Sequence, residues 1–260
     1  MTPPAFSLLH GFLGAPDFWN KTVDHLTAAF PAAFCDAVPL PGHTLYSGTE
    51  LPRCFEDATK WYATRLGEYA PCWGIGYSMG ARLTLGTAVQ FPELFTGLIL
   101  ISVHPGIVEK SERQLRRQWE QSLISLAKNS SLAALVDHFE MLDIFNTQRS
   151  LPNPILKTQR HQRLTHQPEN IIRSIEMLGL GNTPDLLPRL QQLSLPVLVI
   201  TGILDKKYTA IARHLANQCD NISHVAIPQA GHNTILEAPD DTHLAIKQFI
   251  TANLRMVAED

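Results

Sequence analysis

Gly76-Tyr77-Ser78-Met79-Gly80 has the residue types and spacing to hold a reactive hydroxyl at a sharp bend. In a G-x-S-x-G segment a short strand, here Cys72–Ile75, runs into a helix, here opening at Ala81-Arg82-Leu83 and continuing to about Gln90. The strained turn lifts the serine Oγ above the sheet, and the glycines relieve its crowding. A hydroxyl gains reactivity when an imidazole takes its proton and a carboxylate holds that imidazole. The chain offers both in the order Ser, acid, His. Asp205 closes Thr201-Gly202-Ile203-Leu204-Asp205, just past the apolar run Pro196–Ile200, and His232 sits in Gln229-Ala230-Gly231-His232-Asn233, past the last apolar run. Alone, such an Asp is usually a turn or cap residue, and such a His a surface or core group. Three types at three strand ends in this order are expected to form one set, Ser78–Asp205–His232. Asp185 and Asp220 are not so placed.

Two backbone donors complete the arrangement. Met79 begins a helix, so its N–H lacks a partner in the first turn. The loop His10-Gly11-Phe12 follows the first apolar run, and the Phe12 N–H is expected to converge with that of Met79 on a developing oxyanion. Pro41-Gly42-His43 reads only as a turn, because such dipeptides mark any loop.

These residues need a sheet behind them. Short apolar runs alternate with helical patterns, which indicates a parallel α/β sheet with flanking helices. Strands are expected at Phe6–Leu9, Ala32–Cys35, Cys72–Ile75, Gly97–Ile101, Pro196–Ile200 and His224–Ile227. Helices are expected from an Asp17 N-cap to about Ala29, near Phe55–Glu68, and from about Asp241 to Asn253. Between Ile107 and Leu190 the strand rhythm stops and Arg, Gln, Glu and Leu recur at helical spacing. Residues 107–190 are expected to form a helical cap over the strand ends, inserted into a core of residues 1–106 and 191–260.

Composition narrows the function classes. A formal net charge of −3 offers no basic field for nucleic acid. No apolar run approaches the roughly 18 residues of a membrane span. The start Met1-Thr2-Pro3-Pro4 lacks a basic leader, and Cys35, Cys54, Cys72 and Cys219 are scattered without a C-x-x-C. A monomer in a reducing cytoplasm is expected.

Over nearly its whole length the chain resembles the α/β-hydrolase superfamily, on the residues given above. Finer stretches resemble one branch, the 2-succinyl-6-hydroxy-2,4-cyclohexadiene-1-carboxylate synthases of menaquinone and phylloquinone biosynthesis. They are His10 to Gly14, Asp36 to His43, Gly76 to Arg82, His104-Pro105-Gly106, Glu112-Arg113 with Arg116-Arg117, Arg163, Gly179-Leu180-Gly181, Leu204 to Tyr208 and Ala230 to Asn233. The resemblance implies an α/β-hydrolase fold with a mostly parallel sheet and an inserted cap. It also implies a lyase, which eliminates pyruvate from 2-succinyl-5-enolpyruvyl-6-hydroxy-3-cyclohexene-1-carboxylate and needs no metal or organic cofactor. His232 would deprotonate Ser78, whose alkoxide acts as base, while Phe12 and Met79 hold the enolate oxygen. Arg82, Arg116 and Arg163 align with the branch's substrate-contacting arginines, suited to a small-molecule polycarboxylate. Tyr77 could add a hydroxyl donor. Arg113 is a further candidate ligand, though a solvated helix face explains Arg113 and Arg117 equally well. Phe139 stands where relatives usually have Trp, and Asp143 where they usually have Pro, so the pocket wall is expected to differ.

Other readings stay open on the residues alone. A carboxylic-ester or thioester hydrolase would use the same triad as nucleophile, with an apolar cap lining and indifference to loss of Arg82 or Arg116. A silent receptor would keep its function in Ser78→Ala.

Overall fold

The computed structural model describes residues 3–43 and 51–259. Six strands form one all-parallel sheet: β1 (Ala5–Leu9), β2 (Phe34–Val38), β3 (Cys72–Tyr77), β4 (Phe95–Ile101), β5 (Val197–Gly202) and β6 (Ile222–Ile227), in the order β2-β1-β3-β4-β5-β6. The helices are α1 (Asn20–Ala29), α2 (Phe55–Leu66), α3 (Met79–Ala88), α4 (Lys110–Asn129), α5 (Leu132–Glu140), α6 (Asn153–Arg163), α7 (Pro168–Leu178), α8 (Leu187–Leu190), α9 (Lys206–Gln218), α10 (Thr234–Glu237) and α11 (Pro239–Glu259). Among the described residues no helix is long and apolar enough to cross a membrane.

The two-residue period of the strands sorts the core into two layers. Leu98 and Leu100 of β4 and Val197 and Val199 of β5 pack with α2, α3 and α9. Their neighbours Ile99, Ile101, Leu198 and Ile200 face the opposite way, with Trp19, Leu26 of α1 and Ile246 and Ile250 of α11. The strand order reverses between β1 and β3: the chain leaves β1 toward β2 and leaves β3 toward β4. Loops diverging at such a switch point leave a crevice beyond the strand ends, where ligands bind in open α/β sheets.

Local differences from the sequence expectation have physical causes. α1 starts at Asn20, because Pro16–Trp19 first makes a 3₁₀ turn that contains Asp17. Asp17 accepts a 2.6 Å hydrogen bond from Gln162 and caps nothing. β2 runs from Phe34, since Ala32 sits in a turn at φ +67°. α11 extends on both sides of its expected range, beginning at Pro239, a residue whose fixed φ suits a first helical turn.

Residues 110–190 contain no strand and five of the helices, with a 3₁₀ stretch at Asp143–Ser150. Their apolar faces gather Leu123, Ile124, Leu135, Val136, Ile171 and Ile175 around Leu13 of the loop after β1. The two ends of this segment are fastened together. Leu186 donates to the Pro105 carbonyl at 2.7 Å, and Gly106, at φ +113°, has no room for a Cβ against the Pro184 carbonyl.

At the switch point α3 approaches β1 so closely that a Cβ on Gly80 would lie 2.2 Å from the Leu9 carbonyl oxygen and 2.4 Å from that of His10. Both obstacles are backbone, so the helix itself would have to move. Gly80→Ala is expected to cost about 2–3 kcal/mol and to lower the thermal midpoint by about 5–10 °C, read by circular dichroism.

Candidate active site

The loops beyond β1, β3, β5 and β6 converge on one point. Ser78, between β3 and α3, has φ +52°, a strained conformation for a residue with a Cβ. Its N–H is held by the Ile101 carbonyl at 2.9 Å, which keeps the turn on the end of β4. The Ser78 hydroxyl lies 3.1 Å from Nε2 of His232, and Nδ1 of His232 lies 2.7 Å from Oδ2 of Asp205. These partners fix the roles: Nδ1–H donates to the carboxylate, so Nε2 has a lone pair for the serine proton.

Each member is locked from behind. Asp205 caps α9, its other oxygen accepting from the Tyr208 N–H at 3.2 Å. The His232 carbonyl accepts from Ser102 at 2.7 Å, and Glu237 takes the Gly231 and Asn233 amides at 2.6 and 3.1 Å. Tyr208 stands edge-on to the His232 ring with centroids 4.5 Å apart, and Tyr77 and Phe145 complete an aromatic surround. Met79 and Phe12 line the cavity above Ser78. Among the described residues neither of their amides is engaged by another group, so both are available as donors.

The cavity measures about 590 Å³, a size that suits a ligand of drug-like dimensions. Its lining includes five cations (Arg82, Arg116, Arg163, Lys206, Lys207) against three acids (Glu120, Asp143, Asp205), and Asp205 is already engaged by His232. The lining therefore carries more cationic than acidic side chains. Arg82 is 5% exposed. One of its nitrogens donates to the Leu178 carbonyl at 2.9 Å and its Nε has no partner. Burial lowers its pKa to about 10. Among the described residues no carboxylate bonds to it directly, although Glu120 acts on it through space, and burying a guanidinium so thinly paired costs folding energy.

Arg116 donates to Glu120 at 2.7 Å and lies 4.2 Å over the Trp119 ring. Arg163 donates to Glu140 at 2.8 Å and lies 5.4 Å over the Phe139 ring. Several of these cations act on buried titratable neighbours. Burial first, then Arg82, Lys207 and Arg116, lower the pKa of His104 to about 4. Arg163 acts on Tyr77, whose pKa burial and Glu237 push well above its ordinary value.

The structure thus gathers Ser78, Asp205, His232, Phe12, Met79, Tyr77, Arg82, Arg116 and Arg163 around one cavity. It does not bring Arg113 there: its guanidinium donates to the Ile107 carbonyl, fastening the start of α4. Arg117 likewise holds the Gly181 carbonyl at 2.8 Å, and Gly179 and Gly181 let that strap pass Glu120 and Arg117. Phe139 stands edge-on to Phe12 at 5.3 Å and forms cavity wall, and Asp143, at the rim of the same cavity, is exposed and accepts from Asn146.

Sequence reasoning missed Lys207, Tyr208, Trp119 and Glu120 as cavity residues. Their signals were local. Trp119 and Glu120 stand three and four residues after Arg116 on one helix face, and Lys207 and Tyr208 follow an acid that caps a helix.

With this geometry in view, residues 8–243 match the alpha/beta hydrolase family. A 2-succinyl-6-hydroxy-2,4-cyclohexadiene-1-carboxylate synthase of Escherichia fergusonii is 28% identical over 253 residues, spanning 95% of this chain and 94% of that protein. The solved structure of MenH from S. aureus is similar at a TM-score of 0.90 and 28% identity, covering 98% of this chain and 96% of that one. A carboxylesterase structure from Nitrososphaera gargenis, at 14% identity and a TM-score of 0.80, shares the fold.

Asp205→Asn removes the acceptor that fixes the His232 tautomer. It is expected to slow labelling of Ser78 by a fluorophosphonate by about 10³-fold. Arg113→Ala is expected to label at the native rate while losing about 1 kcal/mol of stability, measured by urea unfolding.

Proposed function

We propose, starting from the alpha/beta hydrolase family to which this chain belongs, that it acts as a 2-succinyl-6-hydroxy-2,4-cyclohexadiene-1-carboxylate synthase. The observation that carries this reading is the buried, part-unpaired Arg82 guanidinium in the same cavity as the triad. A pocket for a neutral ester has no use for that charge. A substrate with carboxylates on its ring, its succinyl arm and its enolpyruvyl arm supplies counter-ions for these cations.

The chemistry follows from substrate and product. The ring loses a proton from the carbon that bears the succinyl group and loses enolpyruvate from the ring carbon just beyond the far end of its alkene, so one double bond becomes a conjugated pair. That proton lies next to the succinyl ketone, and its removal places negative charge on the ketone oxygen. His232 draws the proton from Ser78, and the alkoxide takes the ring proton. Phe12 and Met79 amides stabilise the enolate, where charge develops. Collapse of the enolate expels enolpyruvate, which takes up a proton at carbon to leave pyruvate. No bond from Ser78 to substrate is required.

Residues 107–190 serve in this reading as a cap that carries Arg116 and Arg163 to the site. The four cysteines are unpaired, in keeping with a reducing compartment such as the cytoplasm.

A second reading, a carboxylic-ester or thioester hydrolase, is favoured by the same triad and amides. Pyruvate release from the enolpyruvyl substrate separates the two. Native protein is expected to release pyruvate and Ser78→Ala to release none above background; absence of release from native protein, with nitrophenyl esters still cleaved, would favour the hydrolase. Arg82→Ala is expected to lower kcat/KM for pyruvate release about 10- to 100-fold and to leave cleavage of a small neutral ester nearly unchanged. Equal losses on both substrates would make Arg82 a support of the fold.

A further inference from the structure

We infer that His43 is a positioning residue for the oxyanion site, the middle of a polar chain that ties the Phe12 loop and the Met79 side chain to helix α7. This rests on the assignment of Phe12 and Met79 as those donors. The Phe12 N–H shares a peptide plane with the Gly11 carbonyl, so whatever holds that carbonyl aims the N–H. His10 Nδ1 donates to the Gly11 oxygen at 2.8 Å, and the Gly14 N–H donates to it at 3.0 Å. On the other side of Phe12, the Leu13 N–H donates to Nε2 of His43 at 2.9 Å. Leu13 has φ +58°, a conformation that needs external support in a residue with a Cβ. The His43 ring also stands edge-on to Phe12, centroids 5.6 Å apart.

Because Nε2 of His43 accepts, its proton sits on Nδ1, which faces Ser174 Oγ of α7 at 3.3 Å with the Pro41 carbonyl beside it as a second acceptor. The Ser174 hydroxyl is then free to donate to the sulfur of Met79 at 3.8 Å. The chain Leu13–His43–Ser174–Met79 therefore runs from the backbone beside Phe12 to the side chain of the residue that carries the second donor, and it is anchored on one helix of the inserted segment. The geometry leaves the His43 turn little freedom, since Gly42, at φ +85°, has room for no Cβ against the Asn170 carbonyl of α7. Burial keeps His43 in the neutral form that can accept, with its pKa well below 6.5.

The test compares His43→Gln with His43→Leu. A glutamine Oε1 can replace the Nε2 acceptor, whereas leucine fills the volume without accepting. Two readouts are taken: kcat and KM for pyruvate release, and the inhibition constant of phenylboronic acid. The boronic acid bonds to Ser78 Oγ, the serine proton passes to His232, and a boron-bound oxygen occupies the oxyanion site. His43→Leu is expected to lose about 30-fold in kcat and in boronate affinity with KM within about twofold of native, and His43→Gln to stay within about threefold on both. Ser174→Ala, which removes one hydroxyl and leaves the fold intact, is expected to weaken the boronate several-fold. Equal behaviour of the Gln and Leu variants, or native boronate affinity in Ser174→Ala, would overturn the assignment. Failure of native protein to release pyruvate would count against the lyase reading alone, because the boronate comparison needs no substrate.

Discussion

The close approach of α3 to the end of β1 is the contact on which the site depends. It sets Gly80 against the Leu9 and His10 carbonyls and holds the turn before it at a φ of +52°. The same contact brings the first amide of α3 beside the loop that follows β1. One backbone approach therefore fixes the serine hydroxyl, the Met79 N–H and the distance to the Phe12 N–H together. Side chains could not do this alone, because each donor is a main-chain group whose direction follows its strand or helix. The parallel sheet supplies the rest, since its strand ends deliver Asp205 and His232 from β5 and β6 to the same edge.

Charge then decides what such a site is for. A triad with two free amides suits several reactions. The cations are what distinguish this cavity. Arg82 is buried with an unpartnered nitrogen, and folding keeps that cost in place. Arg116 and Arg163 are each steadied by one acid and one aromatic face, which leaves them ordered before a ligand arrives. Arginine suits this role because its planar fork matches a carboxylate. In the proposed reaction, a pocket so prepared would lower the ordering cost of binding a substrate with several carboxylates.

Much of this was legible in the chain. The Ser78 turn, Asp205 and His232 announce themselves by local composition at strand ends, and the strand–helix alternation follows from apolar periodicity. Boundaries drifted where a turn residue left the expected region, as at Ala32, or where proline set a 3₁₀ turn ahead of a helix, as at Pro16. The arginines were harder. Arg113, Arg116 and Arg117 share a helix spacing, yet Arg116 alone among them reaches the cavity, because the other two meet carbonyls at Ile107 and Gly181. Which partner a long side chain finds depends on segments as far as 64 residues away for Arg117 and 96 for Arg82, and no local pattern carries that. His43 was read as a turn for the same reason: its acceptor role appears once Leu13 is folded against it.

The central claim is that Ser78 acts as a base and forms no bond to substrate. Single-turnover pyruvate release from substrate carrying deuterium on the succinyl-bearing ring carbon, followed with intact-protein mass spectrometry, tests it directly. The account predicts slower release from the deuterated substrate and an unmodified protein mass throughout. Equal rates with both substrates, together with a transient mass increase that disappears in Ser78→Ala, would contradict it and make Ser78 a nucleophile.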